Sequence, residues 1–339
     1  MTRRCNAACP YCFYLESTTC HDSDAPELSL EEIRKIARSA GKLMWLAFSG
    51  GEIYLRRDLT EISQCFYDQC QPSIMLFPTN GLMPNLIYRE TEKILDYCRN
   101  SIVVVKLSLD GIGSDHDEFR KTPGNFEKVL ETCRQLEKLL DVYPNFELGV
   151  NTTLHAKNQG KVKEIIDYVS SLKNISTHTV SLVRGNLKQE SYKQVDPENY
   201  QRMARLLNKN LKNKVKGTYR FKGARLKSAQ DVLQRRLIHQ TLISGQKSIP
   251  CYAGNLNLVL TETGEVYPCE ILPHSFGNVR DHEYDLLKLS RTGRAEQIKK
   301  TISNSNRYCR KCTHECNYTM NILFNPAMYP ALLKEYIRI

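Results

Sequence analysis

Between residues 30 and 185 the sequence switches back and forth between two hydrophobic periods, and that alternation restricts the fold more than any other feature. Ser29 with Glu32 forms a capping box ahead of Ile33, Ile36, Ala37 and Ala40, which share one helical face. Residues 45–48 then form a short apolar run of strand type. Leu59, Ile62, Phe66 and Tyr67 return to helical spacing, and residues 74–77 to strand. The cycle repeats with a helix over 91–98, a strand over 102–109, a helix over 126–140, a strand over 146–153, a helix over 162–172 and a strand over 180–183. Strands that alternate with helices pair in parallel through right-handed crossovers. Glycine or polar residues follow most of these strands, at 49–52, 78–81, 110–111 and 184–185. In α/β barrels the chemistry sits at the C-terminal ends of the strands.

Cysteine usage narrows the chemistry. The chain has 13 cysteines, an odd number spread unevenly, which does not read as a disulfide framework. The opening Met-Thr-Arg-Arg-Cys lacks the apolar stretch of a secretory signal, so a reducing, cytoplasmic setting is expected. Eight cysteines fall into two groups, Cys5, Cys9 and Cys12, and Cys251, Cys269, Cys309, Cys312 and Cys316. Thiolates are soft ligands suited to iron–sulfur clusters or zinc. Three on one short loop can hold three irons of a [4Fe–4S] cube and leave the fourth iron open. The zinc alternative is weaker for this group, because zinc sites usually pair cysteines two and two. Cys65, Cys70, Cys98 and Cys133 read as small apolar residues, and Cys20 as one of these or a loop redox residue.

The spacing Cys5-x3-Cys9-x2-Cys12, with Tyr11 before the last cysteine, resembles the signature of the radical S-adenosylmethionine (SAM) superfamily. Later motifs follow in that family's order across residues 1–185. The resemblance implies a partial (β/α)6 barrel of TIM type, and a [4Fe–4S] cluster that binds SAM through its open iron. One electron passed to the sulfonium then gives a 5′-deoxyadenosyl radical that takes hydrogen from a substrate. Ser49, Gly50, Gly51 and Glu52 match the strand end that holds the methionine amino group, and Asn80 lies in the matching Thr79-Asn80-Gly81 turn. Ser108 and Asp110 match the strand end near the ribose and carboxylate, which Arg120 approaches as well. Asn151 and Arg184 sit where relatives line the SAM pocket from the last two strands. Family members usually carry a strand ahead of the cysteines, whereas four residues precede Cys5, so that strand is expected to be truncated.

From Cys251 the pattern becomes a β-hairpin with a turn at Thr263-Gly264, a helix over 286–302, a cysteine loop and a final amphipathic helix. Cys251-x12-Gly264-x4-Cys269, then Cys309-x2-Cys312-x3-Cys316, is similar to the SPASM or twitch extension of the same superfamily. The full SPASM pattern has seven cysteines. Five imply one auxiliary [4Fe–4S] cluster, with one of Cys309, Cys312 and Cys316 spare. A structural zinc ribbon is the alternative. The expected organisation is a SAM core over 1–185, a basic helical connector over 186–250 and an auxiliary-cluster domain over 251–339.

The formal charge of +11 belongs to one segment. Residues 201–250 hold 13 Lys and Arg against the single acid Asp231. This segment reads either as a solvated helical face or as a footprint for an anionic partner, such as an acidic electron donor (flavodoxin or ferredoxin). Only Tyr200, Tyr219 and Phe221 interleave with the charges, so nucleic acid is not favoured. No apolar run approaches the roughly 18 residues of a membrane span. The expected substrate is a peptide or protein side chain, with a small carbohydrate, lipid or nucleotide-linked molecule second. A zinc-ribbon nucleic-acid-binding protein is the reading from a different class.

Overall fold

The computed structural model describes residues 1–16, 25–212, 221–303 and 307–339. Five parallel strands, β1 (Trp45–Ala47), β2 (Ile74–Thr79), β3 (Ile102–Ser108), β4 (Phe146–Leu154) and β5 (Thr177–Leu182), pair in sequence order. Ile74 lies opposite Ile102, Val105 opposite Leu148 and Asn151 opposite Thr179. Helices Leu59–Cys70, Pro84–Tyr97, Asn125–Glu137 and Val162–Ser171 form the crossovers. The sheet curls into a half-barrel, the α/β architecture expected from the alternation. The interiors of β3 and β4 are buried almost throughout, as strands covered on both faces must be. The helix before β3 begins at Pro84, earlier than residue 91, because proline at the first helical position lacks only an amide that would be unpaired anyway.

Residues 1–4 form no strand but run beside residues 49–52. Gly51 N–H donates to the Thr2 carbonyl at 2.8 Å and Glu52 N–H to the Arg4 carbonyl at 2.9 Å. The two glycines are required by this approach. A Cβ on Gly50 would stand 2.6 Å from the Thr2 oxygen, and one on Gly51 2.2 Å from the Arg4 oxygen. Gly50 also has φ +135°, which L side chains rarely adopt.

Helices Pro197–Lys212 and Ala224–Ser244 fill the connector. The second starts four residues before Ser228, the start implied by pairing Ser228 with Asp231, and Ser228 is instead buried inside it. Four of the basic residues here make contacts within the chain, although Arg225 and Arg236 remain exposed. Lys227 pairs with Asp231, Arg236 with Glu335, Arg225 stacks 4.6 Å over Tyr336, and Lys247 sits 5.0 Å over Tyr318. Arg202, Arg205 and Lys209 are exposed on the preceding helix. Lys214, Lys216, Arg220 and Cys20 lie outside the described residues.

The C-terminal region contains the antiparallel strands β6 (Val259–Leu260), β7 (Glu265–Tyr267) and β8 (Gly277–Asn278), then helices Gly293–Ser303, Glu315–Leu323 and Tyr329–Arg338. Its apolar residues join the barrel's own cores. Val266, Phe276, Val279 and Leu289 belong to the cluster that holds the interiors of β2, β3 and β4. Tyr318 and Ile322 pack with Leu154, Val180, Tyr200 and Leu233. Among the described residues, no helix is long and apolar enough to cross a membrane.

Candidate functional site

The cysteine loop reaches the residues just past β2 and β3. Asn80, one residue past β2, donates from Nδ2 to Asn6 Oδ1 at 2.8 Å and lies 3.8 Å from Cys5 Sγ. Glu52 locks this corner from beneath, accepting from Asn80 N–H at 2.7 Å and from Thr79 Oγ1 at 2.9 Å. It is buried, which pushes its carboxyl up to about 6 against the pull of those bonds. Glu52 therefore ties the end of β1 to the end of β2.

Asp110, just beyond β3, is fully buried and committed on both oxygens. Oδ2 accepts from Tyr11 and from Arg120 Nη1, each at 2.6 Å, and Oδ1 accepts Thr153 N–H at 2.6 Å. Burial pushes this carboxyl up, but Arg120 and the bonds from Tyr11 and Thr153 N–H hold it below the usual carboxylate range. His116 Nδ1 accepts Asp110 N–H at 3.1 Å, and burial with Arg120 nearby lowers His116 to about 4, so the ring is neutral. Arg120 Nε is buried without a partner. A buried guanidinium N–H with no acceptor beside a cysteine loop is an opening for an anionic group.

Cys5, Cys9 and Cys12 lie within electrostatic reach of one another. Burial pushes the Cys9 thiol up to about 11, with Arg120 opposing it. Metal binding requires the thiolate, so the cost of ionising these groups falls only when cationic iron is bound. Ser108 lies beside Asn151 in the sheet register, and Asn151 accepts from Ser181 Oγ at 3.1 Å. Arg184, just past β5, sits 5.6 Å over the Phe13 ring. Its guanidinium is bound to Glu270 at 2.9 Å and Glu315 at 3.5 Å, so it bridges the barrel to the C-terminal region.

The second cysteine group divides. Cys251, Cys269, Cys309 and Cys312 line one pocket with Ala253, Ile271, Leu272 and Ile302. Burial pushes the Cys309 thiol up to about 12. Cys316 is exposed and absent from that lining; it lies against His314, which is within 3.2 Å of Glu270. Among the described residues, no group of three or more His, Cys, Asp or Glu side chains stands close enough to hold a single metal ion.

The radical SAM superfamily model matches residues 1–169, and the SPASM iron–sulfur cluster-binding domain model matches 251–313. The chain belongs to the radical SAM superfamily. An AdoMet-dependent heme synthase of Methanosarcina barkeri is 26% identical over 84% of this chain and 79% of its own length. The antilisterial bacteriocin subtilosin biosynthesis protein AlbA of Bacillus subtilis is 26% identical over 84% of this chain and 57% of its own length. A solved structure of polyhistidine-tagged anSMEcpe with bound AdoMet covers all of this chain and 93% of its own, with a TM-score of 0.64 and 19% identity. That last likeness establishes the fold.

A radical SAM core uses a [4Fe–4S] cluster and SAM, and a SPASM domain an auxiliary iron–sulfur cluster. The residues present fit both groups: three thiols beside an unpartnered buried guanidinium N–H, and four thiols around an apolar pocket. The SPASM match includes Cys251, Cys269, Cys309 and Cys312. Sequence reasoning passed over Glu262, Glu270, His314 and Glu315. Each partners a residue far away in the chain, and none carries a local motif.

Proposed function

We propose that this radical SAM enzyme takes hydrogen from a peptide or protein side chain. The observation that carries its chemistry is the cysteine loop seated against the Asp110–Arg120 pair, with Arg120 Nε unpartnered. Cys5, Cys9 and Cys12 would hold the SAM cluster; once bound, it supplies the electron that cleaves SAM. Arg120 offers its free N–H to the SAM carboxylate, while Asp110 and Tyr11 fix the guanidinium plane. Ser49, Gly50, Gly51 and Glu52 shape the corner for the amino group. Asn80, Ser108, Asn151 and Arg184 complete the surroundings of SAM. Cys251, Cys269, Cys309 and Cys312 would hold the auxiliary cluster, leaving Cys316 spare. The SAM core over 1–185, connector over 186–250 and auxiliary-cluster domain over 251–339 are part of the same reading, as are a cytoplasmic location and an acidic electron donor.

Support for a peptide substrate comes from relatives named for subtilosin biosynthesis, sporulation killing factor maturation and PqqA peptide cyclisation. A small-molecule substrate, such as a carbohydrate, lipid or nucleotide-linked molecule, is the second reading, and the heme synthase match, over a larger share of the relative's length, favours a small molecule. The test is anaerobic turnover with a deuterated candidate peptide encoded beside the gene. Deuterium in 5′-deoxyadenosine supports the peptide reading. Deuterium from a labelled tetrapyrrole or sugar precursor, and none from the peptide, overturns it.

A further inference from the structure

The cysteine loop is gripped at both ends by one carboxylate from the far part of the chain. Arg3, two residues before Cys5, donates from Nε to Glu262 Oε1 at 2.9 Å. Tyr14, two residues after Cys12, donates its hydroxyl to Glu262 Oε2. Glu262 stands in the turn between β6 and β7, and its side chain is 1% exposed. The turn is itself anchored. The Glu262 carbonyl accepts Leu28 N–H at 2.6 Å, and Arg280 beyond the hairpin binds Glu32 at 2.7 Å. Glu27 reinforces the first end, accepting from Thr2 Oγ1 at 2.7 Å and from Arg3 N–H at 2.9 Å.

We propose that Glu262 is a positioning residue for the SAM cluster: its two oxygens clasp the loop before Cys5 and after Cys12, making the hairpin of the auxiliary-cluster region a structural part of the SAM site. A segment closed at both ends retains far fewer conformations than one tethered at a single end. Charge-assisted bonds to a buried carboxylate are the strong kind. The three thiols are thereby held on one closed loop even before iron arrives. The proposal rests on the reading that Cys5, Cys9 and Cys12 carry the SAM cluster. If that reading is wrong, replacing all three with alanine leaves iron content and SAM cleavage unchanged, a result separate from the one below.

The test is hydrogen exchange of the iron-free full chain, which requires neither cluster nor activity. In Glu262→Gln, amides of residues 5–12 should exchange at least about tenfold faster, while β3 and β4 keep their protection. On reconstitution this variant should retain the auxiliary iron and lose that of the loop, ending near four irons per chain. Wild-type exchange across residues 5–12 overturns the proposal. If Glu262→Gln loosens the whole barrel, the double variant Arg3→Met, Tyr14→Phe decides, since it leaves Glu262 and the hairpin in place. Faster exchange confined to the loop supports the clasp, and unchanged exchange there overturns it.

Discussion

The two cysteine sites are built from the same side chain in opposite surroundings. Beside Cys5, Cys9 and Cys12 stand the buried polar residues Glu52, Asn80, Asp110 and Arg120, joined by short hydrogen bonds with one guanidinium N–H left over, while Tyr11, Phe119 and Val183 pack against Cys9. Around Cys251, Cys269, Cys309 and Cys312 the neighbours are mostly aliphatic. A polar shell with a vacant donor suits a site that must receive and orient a charged ligand. An aliphatic shell with four thiols suits one that encloses its metal. On the proposed reading, the surroundings, more than the sulfurs, distinguish the site that receives SAM from the one that encloses the auxiliary cluster.

That contrast is broken most severely by removing the thiols of the polar site. Replacing Cys5, Cys9 and Cys12 with alanine should reduce 5′-deoxyadenosine formation to background with dithionite as reductant, and iron should fall from about eight to about four per chain. Replacing Cys251 and Cys269 should lower iron to the same level but spare slow SAM cleavage while abolishing substrate turnover. Iron analysis and chromatography of the adenosyl product check both. If either double or triple variant keeps full iron, its site does not hold a cluster.

The polar shell makes its own thermodynamic prediction. Asp110→Asn leaves Arg120 buried without its counter-charge, so the iron-free chain should lose about 3–5 kcal/mol in denaturant unfolding. The folded Asp110 lies below its unfolded value, so the pair stabilises above the ordinary Asp range of about 3.9. That contribution is lost as pH falls through the folded value. Wild type and variant should therefore converge in acid. A gap that persists unchanged in acid would assign the loss to packing.

Much of the polar site was legible because its parts are local. The cysteine spacing, the Ser49–Glu52 turn and the Asp110–Arg120 stretch each lie within a short window, and the strand periods bring their ends together. The capping box at Ser29 formed as the pattern implies. What stayed hidden depends on partners distant in sequence. The bonds of Arg184 to Glu270 and Glu315, far along the chain, carry no local signal. The charge of residues 201–250 reads as a surface, and Arg225 and Arg236 are exposed, but the pairing of Arg236 and Lys227 and the stacking of Arg225 have no signal in composition. Composition counts charges but not their counterparts. Ser228 misplaced a helix start because a buried serine and a capping serine look alike in sequence.

Two smaller effects sharpen the comparison. Reversing the exposed Arg202, Arg205 and Lys209 to glutamate should slow flavodoxin-driven SAM cleavage a few-fold at low salt, and less at physiological ionic strength, where screening acts over about 8 Å. Dithionite-driven cleavage should stay at wild type; equal losses with both reductants would assign the charges to folding. Smallest of all, Cys316→Ala should leave iron near eight per chain, since that thiol lies outside the aliphatic pocket. A fall to four would restore Cys316 as a ligand.

The Glu262 contacts bear on the order of events during synthesis. Cys12 leaves the ribosome 250 residues before Glu262 does. At about 5–20 residues per second, the emerging loop waits tens of seconds for its second anchor. Throughout that interval three thiols are exposed to oxidants and stray metals on an unfinished chain. Iron delivered to the nascent N-terminus would meet an open loop, whereas iron delivered after release meets a closed one. If Glu262 clasps the loop as proposed, the loop closes at both ends only after the β6–β7 turn has been made.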